Sequence, residues 1–276
     1  MYKRQELELN YIPVNKKNFT WKINLNLTHY KNKITYLPDE KKTTVMDGHG
    51  GYMNGSRYYG EDLPINTWYM KRFAGLSEDG LSLWYYTDKE TNEEKTTTTY
   101  STGDFYLCGD PNPDLYGGFG TSITFHGFDL STQFSYLVGG LTYDYGYAGM
   151  MGNPTATSVG NRWHKDVLKA WSPENPSSTI PRWHFNDLNT TGSSDRFLID
   201  GSYLNLQNIQ VGYTLPDSWT SHLKIKNLRL YFVCDNVYYW SKRKGLDPRR
   251  SISGVGTSGK IAVSYTHLTL PTNSLV

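Results

Sequence analysis

Apolar and polar residues alternate over long stretches of this chain. In Asn18–Tyr30 the odd-numbered residues up to Leu27 are apolar, and the residues between them are Thr, Lys and Asn. The alternation recurs in Leu115–Val138, Arg196–Pro216 and Leu228–Trp240. A period of two puts alternate side chains on opposite faces of a β-strand. Each stretch therefore predicts a strand between an apolar and a wet phase.

The clearest hairpin signal is the dipeptide His126–Gly127. It separates two alternating runs by two residues, which is the spacing of a tight turn. Ile65–Leu76 also predicts a strand, and Leu81–Tyr86 predicts a hairpin arm. One helix is predicted at Asn161–Trp171, because Asn161 can cap it and its apolar residues share a face. Those residues are Trp163, Val167, Leu168 and Trp171.

Composition supports β structure. The chain of 276 residues contains Gly 26, Tyr 23 and Trp 8, and such residues suit pleated strands and their turns. Its net charge of +2 gives no indication of nucleic-acid binding. The mean hydropathy is −0.60, and no apolar run reaches the length of a membrane helix. Strands of a membrane barrel would fit these numbers, and a soluble β-sandwich with one solvated face would fit them too.

Aromatic residues gather where the predicted strands end, as in "DNVYYW" at residues 235–240. A bilayer interface selects amphipathic rings at that depth. We therefore interpret Trp21, Trp219 and Trp240 as interface anchors. This pattern favours strands that separate lipid from a wet lumen.

No motif points to catalysis, a metal or a cofactor. Gly254–Lys260 resembles a phosphate-binding loop, but Ile261 replaces the Ser or Thr that would reach the metal. The seven histidines have no metal-ligand spacing, and no carboxylate pair or nucleophile motif stands out. Cys108 and Cys234 are read as two unpaired thiols, although a disulfide between them stays open. We expect a protein that is not an enzyme.

Three stretches resemble the C-terminal part of the SusC/RagA family of TonB-linked outer-membrane receptors. They are "NPDLYGGFGTSITFHGFDLSTQFSYLVGG", "SSDRFLIDGSYLNLQNIQVGYTLP" and "LRLYFVCDNVYYWSKRKGLDP". The resemblance implies an all-β fold, a partial transmembrane antiparallel β-barrel from the C-terminal portion of a 22-stranded receptor. About seven or eight spanning strands would lie in this chain.

The resemblance also implies a topology. The strand from Gly201 would descend to a periplasmic turn near 216–226, and Leu228–Trp240 would return. Residues 77–115, 139–200 and 241–262 would then be long extracellular loops, with the one short helix among them. The family's calcium-type Asp/Asn-rich stretch is replaced here by "STGDFYLCGDPNPD", so no calcium is expected.

The function that the resemblance implies is import of oligosaccharides or peptides across the cell outer membrane. The expected partners are a SusD-like surface lipoprotein, outer-membrane lipid, and the TonB complex through an N-terminal part that this chain lacks. Residues 6–262 are expected to be receptor barrel. Residues 1–5 and 263–276 resemble translated sequencing-adapter sequence and are set aside from the fold.

Six side chains in the predicted extracellular loops are candidates for ligand binding. Aromatic faces stack on sugar rings, and a nearby carboxylate can fix hydroxyl groups. The candidates are Trp84, Tyr85, Trp163, Trp171, Trp183 and Asp187. Packing of these rings within the loops is the alternative for each of them.

Two other functions compete with import. A secreted all-β domain that binds or hydrolyses glycans would need a convergent carboxylate pair. A purely structural surface protein would have no ligand. Dependence on detergent separates import from both alternatives.

Overall fold

The chain folds mainly as β-strands in the computed structural model, which describes residues 2–154, 163–187, 192–220 and 225–242. In chain order the strands are β1 (Tyr2–Lys16), β2 (Phe19–Asn32), β3 (Thr44–Met46), β4 (His49–Asn54), β5 (Arg57–Gly60), β6 (Thr67–Lys71), β7 (Phe73–Leu76), β8 (Ser82–Thr87), β9 (Glu94–Thr97), β10 (Phe105–Gly109), β11 (Leu115–Phe125), β12 (Phe128–Val138), β13 (Leu141–Tyr143), β14 (Leu198–Asp200), β15 (Tyr203–Thr214) and β16 (Arg229–Ser241). Two short helices, α1 (Tyr145–Met150) and α2 (Asp217–Thr220), are also present, as are 3-10 turns at Asp39–Lys41, Lys165–Lys169 and Asp195–Phe197.

Six long strands form one antiparallel sheet, which we call the wall. Its strand order is β1-β2-β11-β12-β15-β16. The predicted hairpin is confirmed, with β11 and β12 paired along their whole length around His126–Gly127. Both turn residues have positive φ, 47° at His126 and 86° at Gly127. That combination is the type I′ turn, whose twist matches that of the flanking strands.

The register of the wall keeps one face apolar. Ile23 of β2 lies between Tyr11 of β1 and Thr121 of β11, and Phe119 pairs with both Leu25 and Phe134. Large apolar side chains stay exposed along this face: Leu7, Leu9, Tyr11, Phe119, Phe125, Phe128, Leu130, Val211, Leu230, Phe232, Tyr238 and Trp240. The other face carries amides and hydroxyls, which include Asn24, Asn26, Ser122, Ser131, Gln133, Ser135, Asn205, Asn208 and Gln210.

The two ends of the wall differ. At one end the chain turns over residues 17–18, 126–127 and 215–228, and at the other end it makes the long excursions 33–114 and 139–202. The predicted course through Gly201, a turn after Pro216 and a return along β16 is confirmed. The proposed loop at 241–262 lies almost wholly outside the described residues.

The strand structure predicted at Ile65–Leu76 is confirmed, although the stretch forms two strands and not one. The stretch forms β6 and β7, which belong to two different small sheets and not to the wall. All five residues of β6 are buried, the polar Thr67 and the charged Lys71 included, so burial does not alternate between its two faces. Within the described residues the wall has six strands, fewer than the predicted seven or eight. One of them is β1, in which residues 2–5 pair with residues 29–32.

The long excursions are more ordered than predicted. Together they build a unit that we call the lobe, which consists of the described residues between 33 and 114 and between 139 and 202. It contains a five-stranded sheet (β10-β6-β5-β4-β3), a three-stranded sheet (β7-β8-β9) and the pair β13-β14. Its core is formed by buried residues from both excursions: Trp68, Met70, Tyr143, Met151 and Phe197. The excursions therefore stabilise each other through their own hydrophobic core.

The helix predicted at Asn161–Trp171 is replaced by the 3-10 turn Lys165–Lys169. The His164 side chain caps this turn by accepting a hydrogen bond from the backbone of Asp166, while Asn161 lies outside the described residues. The apolar residues that were expected to share one face of the helix do not share one environment. Val167 packs against the lobe core, whereas Leu168 is 90% exposed. Without a common partner for these residues, nothing selects a longer helix.

Short glycine and aspartate motifs join the two excursions to each other next to the wall. The Leu141 amide donates to the carbonyl of Asp110 at 2.8 Å, and the Gly201 amide donates to that of Gly140 at 2.7 Å. Gly139 and Gly140 have φ of 79° and 76°. A Cβ on Gly139 would lie 2.4 Å from Asp114 Oδ2, so the approach requires glycine. These contacts fix where both excursions leave the wall.

An ion pair crosses β15 on the polar face of the wall. Arg229 donates from Nε to Asp129 Oδ1 at 3.0 Å and from Nη2 to Asp129 Oδ2 at 2.5 Å. Gly212 of β15 lies between the two strands that carry them. A Cβ on Gly212 would be 2.5 Å from Asp129 Oδ1 and 2.7 Å from Arg229 Nη2. The missing side chain is what lets the pair close.

We expect Gly212→Ala to lower the free energy of unfolding by about 1–3 kcal/mol, because the added methyl group forces the ion pair apart. Urea unfolding followed by tryptophan fluorescence measures the effect. The control is Gly149→Ala, since a Cβ there meets no atom within 4 Å. Equal stability of the Gly212→Ala protein and the wild type would contradict this account.

Candidate functional site

Three of the six candidate residues lie in one segment of the lobe. The indoles of Trp163 and Trp183 meet edge to face, with ring centroids 5.4 Å apart and an angle of 84°. Both Nε1 atoms donate to the Gly152 carbonyl, at 3.0 Å from Trp163 and 3.4 Å from Trp183. Trp183 is nevertheless 40% exposed, so part of its ring faces solvent. The pair is both packed and accessible.

Asp187 lies beside this pair. Its backbone carbonyl accepts a hydrogen bond from Asn153 Nδ2 at 2.8 Å, and its Oδ2 is 4.0 Å from Arg182 Nε. The side chain of Asp187 is only 9% exposed. The structure therefore brings Trp163, Trp183 and Asp187 together through Gly152 and Asn153. No sequence motif indicated that grouping.

Trp84 and Tyr85 are neighbours on β8 but have different surroundings. Trp84 is 1% exposed, and its ring contacts Phe73 and Tyr100 at centroid distances of 5.7 and 5.1 Å. This burial supports a packing role for Trp84. Tyr85 is half-buried, with the Arg72 guanidinium 4.6 Å from the centre of its ring.

Trp171 is separate from both groups and lines a cleft of about 370 Å³. The opposite side of the cleft is β7, with Phe73 and Leu76. The sequence did not indicate these two residues for binding, because Ile65–Leu76 was interpreted only as a strand. The cleft thus combines one predicted aromatic residue with two residues that had no functional signal of their own.

A buried lysine holds the loop next to Trp84. The Lys71 ammonium donates to the carbonyls of Tyr100, Ser101 and Gly103 at 2.6, 3.1 and 2.5 Å. It also lies 4.7 Å from the centre of the Tyr100 ring and 5.0 Å from that of Phe105. Lys71 is 4% exposed, and this burial lowers its pKa because the charged form loses water.

A second buried cation lies below the cleft. The Arg196 guanidinium is 5.2 Å from the ring centres of both Phe73 and Phe197. Burial lowers the pKa of Arg196 to about 10. Asp195 accepts a hydrogen bond from the Phe73 amide at 2.8 Å, and burial raises the pKa of this carboxyl group. Cation–π contacts and a carboxylate thus fix Phe73 from one side.

In the described part of the chain, no group of three or more His, Cys, Asp or Glu residues could hold a metal ion. Cys108 and Cys234 are free thiols in this structure. Burial raises the pKa of the Cys108 thiol to about 11, so it is poorly suited to act as a nucleophile. The phosphate-loop-like stretch 254–260 lies outside the described residues. Across those described ranges, no helix is long and apolar enough to cross a membrane.

The chain matches TonB-dependent receptors in sequence. TonB-dependent receptor P3 of Formosa agariphila is 29% identical over 266 residues, which cover 89% of this chain and 25% of that protein. TonB-dependent receptor SusC of Bacteroides thetaiotaomicron is 25% identical over 254 residues, or 88% of this chain and 23% of SusC. No protein-family model matches the chain.

The fold gives the same answer. The structure of the RagAB peptide transporter superposes with a TM-score of 0.72 at 22% identity, over 90% of this chain and 26% of the transporter chain. In sequence and in fold the chain is similar to TonB-dependent receptors of the SusC/RagA type. The RagAB importer in its open-open and closed-closed states gives TM-scores of 0.71 and 0.70, so the fold resembles both states equally.

The chain spans about a quarter of the length of the relatives that it matches. The wall therefore has the fold of a part of such a receptor's barrel, as the sequence predicted. The relatives are named as receptors, transporters or importers and none as an enzyme. The lobe is built on the end of the wall from which the long excursions leave.

We expect Lys71→Met to lower the free energy of unfolding of the receptor's lobe by about 2–3 kcal/mol, because it leaves three carbonyls without their charged donor. Limited proteolysis at residues 99–104 measures the loosening of that loop.

The control is Lys95→Met. This variant removes an exposed ion pair with Asp88, and we expect no change in cleavage rate. Cleavage of Lys71→Met at the control's rate would show that Lys71 does not hold the loop.

Proposed function

We propose that this chain is part of an outer-membrane importer that takes up oligosaccharides or peptides with energy passed through TonB. Its partner would be a SusD-like surface lipoprotein. Transport of this kind is gated translocation and needs no bond chemistry, in keeping with a protein that is not an enzyme. The observation that carries the proposal is the two-faced wall, apolar on one face and lined with amides and hydroxyls on the other.

The apolar face of the wall supports the proposal that these strands lie in a membrane. Exposed apolar side chains recur on five of the six strands, from Leu7 and Leu9 on β1 to Phe232 and Trp240 on β16. Soluble proteins rarely expose contiguous apolar patches of that extent. In a bilayer the same side chains are in contact with acyl chains, where they are stable. A secreted glycan-binding or glycan-hydrolysing domain would have to cover this face.

Aromatic residues mark both ends of the apolar face. Near the short turns, Phe128 and Tyr213 lie 4.3 Å apart between ring centroids, and Trp219 on α2 is 63% exposed. At the opposite end, Tyr238 and Trp240 lie 4.8 Å apart. Two such belts are what the two headgroup regions of a membrane select. They support Trp219 and Trp240 as interface anchors.

The short turns would then be periplasmic and the lobe extracellular. In that orientation the candidates Trp163, Trp171, Trp183 and Asp187 would lie on the side from which a ligand arrives. Part of the Trp183 ring faces solvent beside Trp163 and Asp187, and the Trp171 ring lines the cleft. Ligand contact at these residues and at Tyr85 is part of the proposal, whereas Trp84 would support the site from below.

Uptake in cells tests the function. A strain that expresses the receptor should accumulate radiolabelled oligosaccharides or peptides, and deletion of either the receptor gene or tonB should abolish the accumulation. Cleavage of the label outside the cell without uptake would instead favour the glycan-hydrolysing alternative. Equal accumulation in all strains would contradict the proposed import.

We expect Ile209→Arg to prevent assembly into the outer membrane, because a cation at the middle of the apolar face costs about 2–4 kcal/mol in lipid. Heat-modifiable migration of the protein from outer-membrane fractions measures assembly.

The matched control is Ser131→Arg. Ser131 pairs with Gln210, the residue after Ile209, and therefore faces the polar side of the wall. This variant should assemble like the wild type. Assembly of both variants to the same extent would contradict the assignment of the faces.

A further inference from the structure

An open cleft lies on the lobe between β7 and the segment 171–179. Its volume of about 370 Å³ falls at the lower end of the range for ligand sites, about 300–1,000 Å³. Phe73, Leu76 and Trp171 form its apolar surface, and Pro176 lies at its rim. A site of this size accommodates one ring of a ligand rather than an extended chain.

Trp171 is held in place by a glycine. The ring lies so close to Gly80 that an added Cβ would be 2.3 Å from the indole Cδ2 and 2.5 Å from Cγ. The Trp171 amide also donates to the Ile180 carbonyl at 2.9 Å. One side of the indole is therefore covered by the Gly80 backbone, and the ring's remaining surface lines the cleft.

The segment opposite β7 is ordered by its own hydrogen bonds. Ser178 Oγ donates to the Lys169 carbonyl at 2.6 Å and accepts from the Ile180 amide at 3.0 Å. The Asn175 amide donates to the Ser172 carbonyl at 2.9 Å. A cleft that is formed before binding loses less conformational entropy when a ligand enters.

The polar groups at the cleft are hydroxyls. Ser77, Ser177 and Thr179 lie at its edge, and among the described residues that line it none is charged. Ser77 Oγ accepts a hydrogen bond from the Leu81 amide at 3.0 Å, which leaves its own proton to donate. A charged ligand group would lose its water here without gaining a counter-charge. The cleft thus favours a neutral ligand that carries several hydroxyls.

We infer that this cleft binds a single neutral sugar ring of an oligosaccharide, with the ring stacked on Trp171 and its hydroxyls bonded at Ser77 and Thr179. The inference rests on the proposed import function and assigns one sugar subsite to the lobe. An aromatic side chain of a peptide would fill the apolar surface equally well. It would, however, leave the hydroxyls of the rim without a matching partner, so the sugar is the better fit.

Binding to the detergent-purified receptor that contains this chain tests the inference. The probes are linear neutral oligosaccharides of glucose, mannose and xylose, with oligogalacturonate as the charged comparison and phenylalanine-containing peptides as the alternative ligand. Isothermal titration should give binding of at least one neutral oligosaccharide. Trp171→Ala should weaken that binding roughly tenfold, because a stacked ring and its apolar contact are lost.

Two further variants guard against an effect on folding. Thr179→Val keeps the shape of an exposed side chain and removes only its hydroxyl, so roughly fivefold weaker binding is expected. Trp219→Ala removes an exposed tryptophan at the other end of the wall and should bind like the wild type.

The outcomes separate the two proposals. Oligosaccharide binding that is unchanged in both Trp171→Ala and Thr179→Val would overturn the cleft and leave the import function standing. Binding of phenylalanine-containing peptides that depends on Trp171, without sugar binding, would overturn the sugar assignment. A receptor that binds neither class of probe would contradict both proposals.

Discussion

Every backbone N–H and C=O of a strand that faces lipid needs a hydrogen-bond partner in a neighbouring strand, because the bilayer core offers no water. The rest of this structure depends on that constraint. It requires continuous pairing, which β11 and β12 show from Leu115 and Val138 down to their turn. Continuous pairing fixes the register, and the register places all outward side chains of six strands on the same face. The alternation in the sequence follows from this pairing between lipid and water.

The same constraint explains why the excursions gather at one end. Irregular backbone has to lie outside the lipid, so the wall strands join either by short turns or by segments that fold on their own. The excursions 33–114 and 139–202 fold together around Trp68, Tyr143 and Phe197. The Asp114 amide donates to the carbonyl of Val138 on β12 at 2.9 Å and ties this lobe to the wall. The ligand site proposed for the lobe would therefore have a fixed position relative to the wall, as the proposed import function requires.

The sequence predicted the wall better than the lobe, for a physical reason. Along β2, β12 and β15, apolar and polar residues alternate because each strand has one apolar and one polar side. This local pattern can be recognised without knowing any partner strand. In the lobe, short strands are chosen by distant contacts, and β6 with its buried run resembles any other apolar strand. The carbonyl partners of Lys71 lie at least 29 residues away. The burial of Trp84 and the grouping of Trp163 with Trp183 depend on such distant contacts too. The one signal that the sequence offered for this region was Lys71, a lysine within a mainly apolar stretch.

The most direct test of the two-faced wall is a cysteine scan of β12 from Phe128 to Val138, with Cys108 and Cys234 changed to serine and a spin label at each position in turn. Collisions with oxygen dissolved in lipid and with a water-soluble nickel complex would be measured for each label in the assembled receptor. The account predicts a period of two, with the even-numbered positions from Phe128 to Val138 accessible to oxygen and the positions between them shielded from lipid. Uniform accessibility along the strand, or access of the nickel complex to the even-numbered positions, would contradict it.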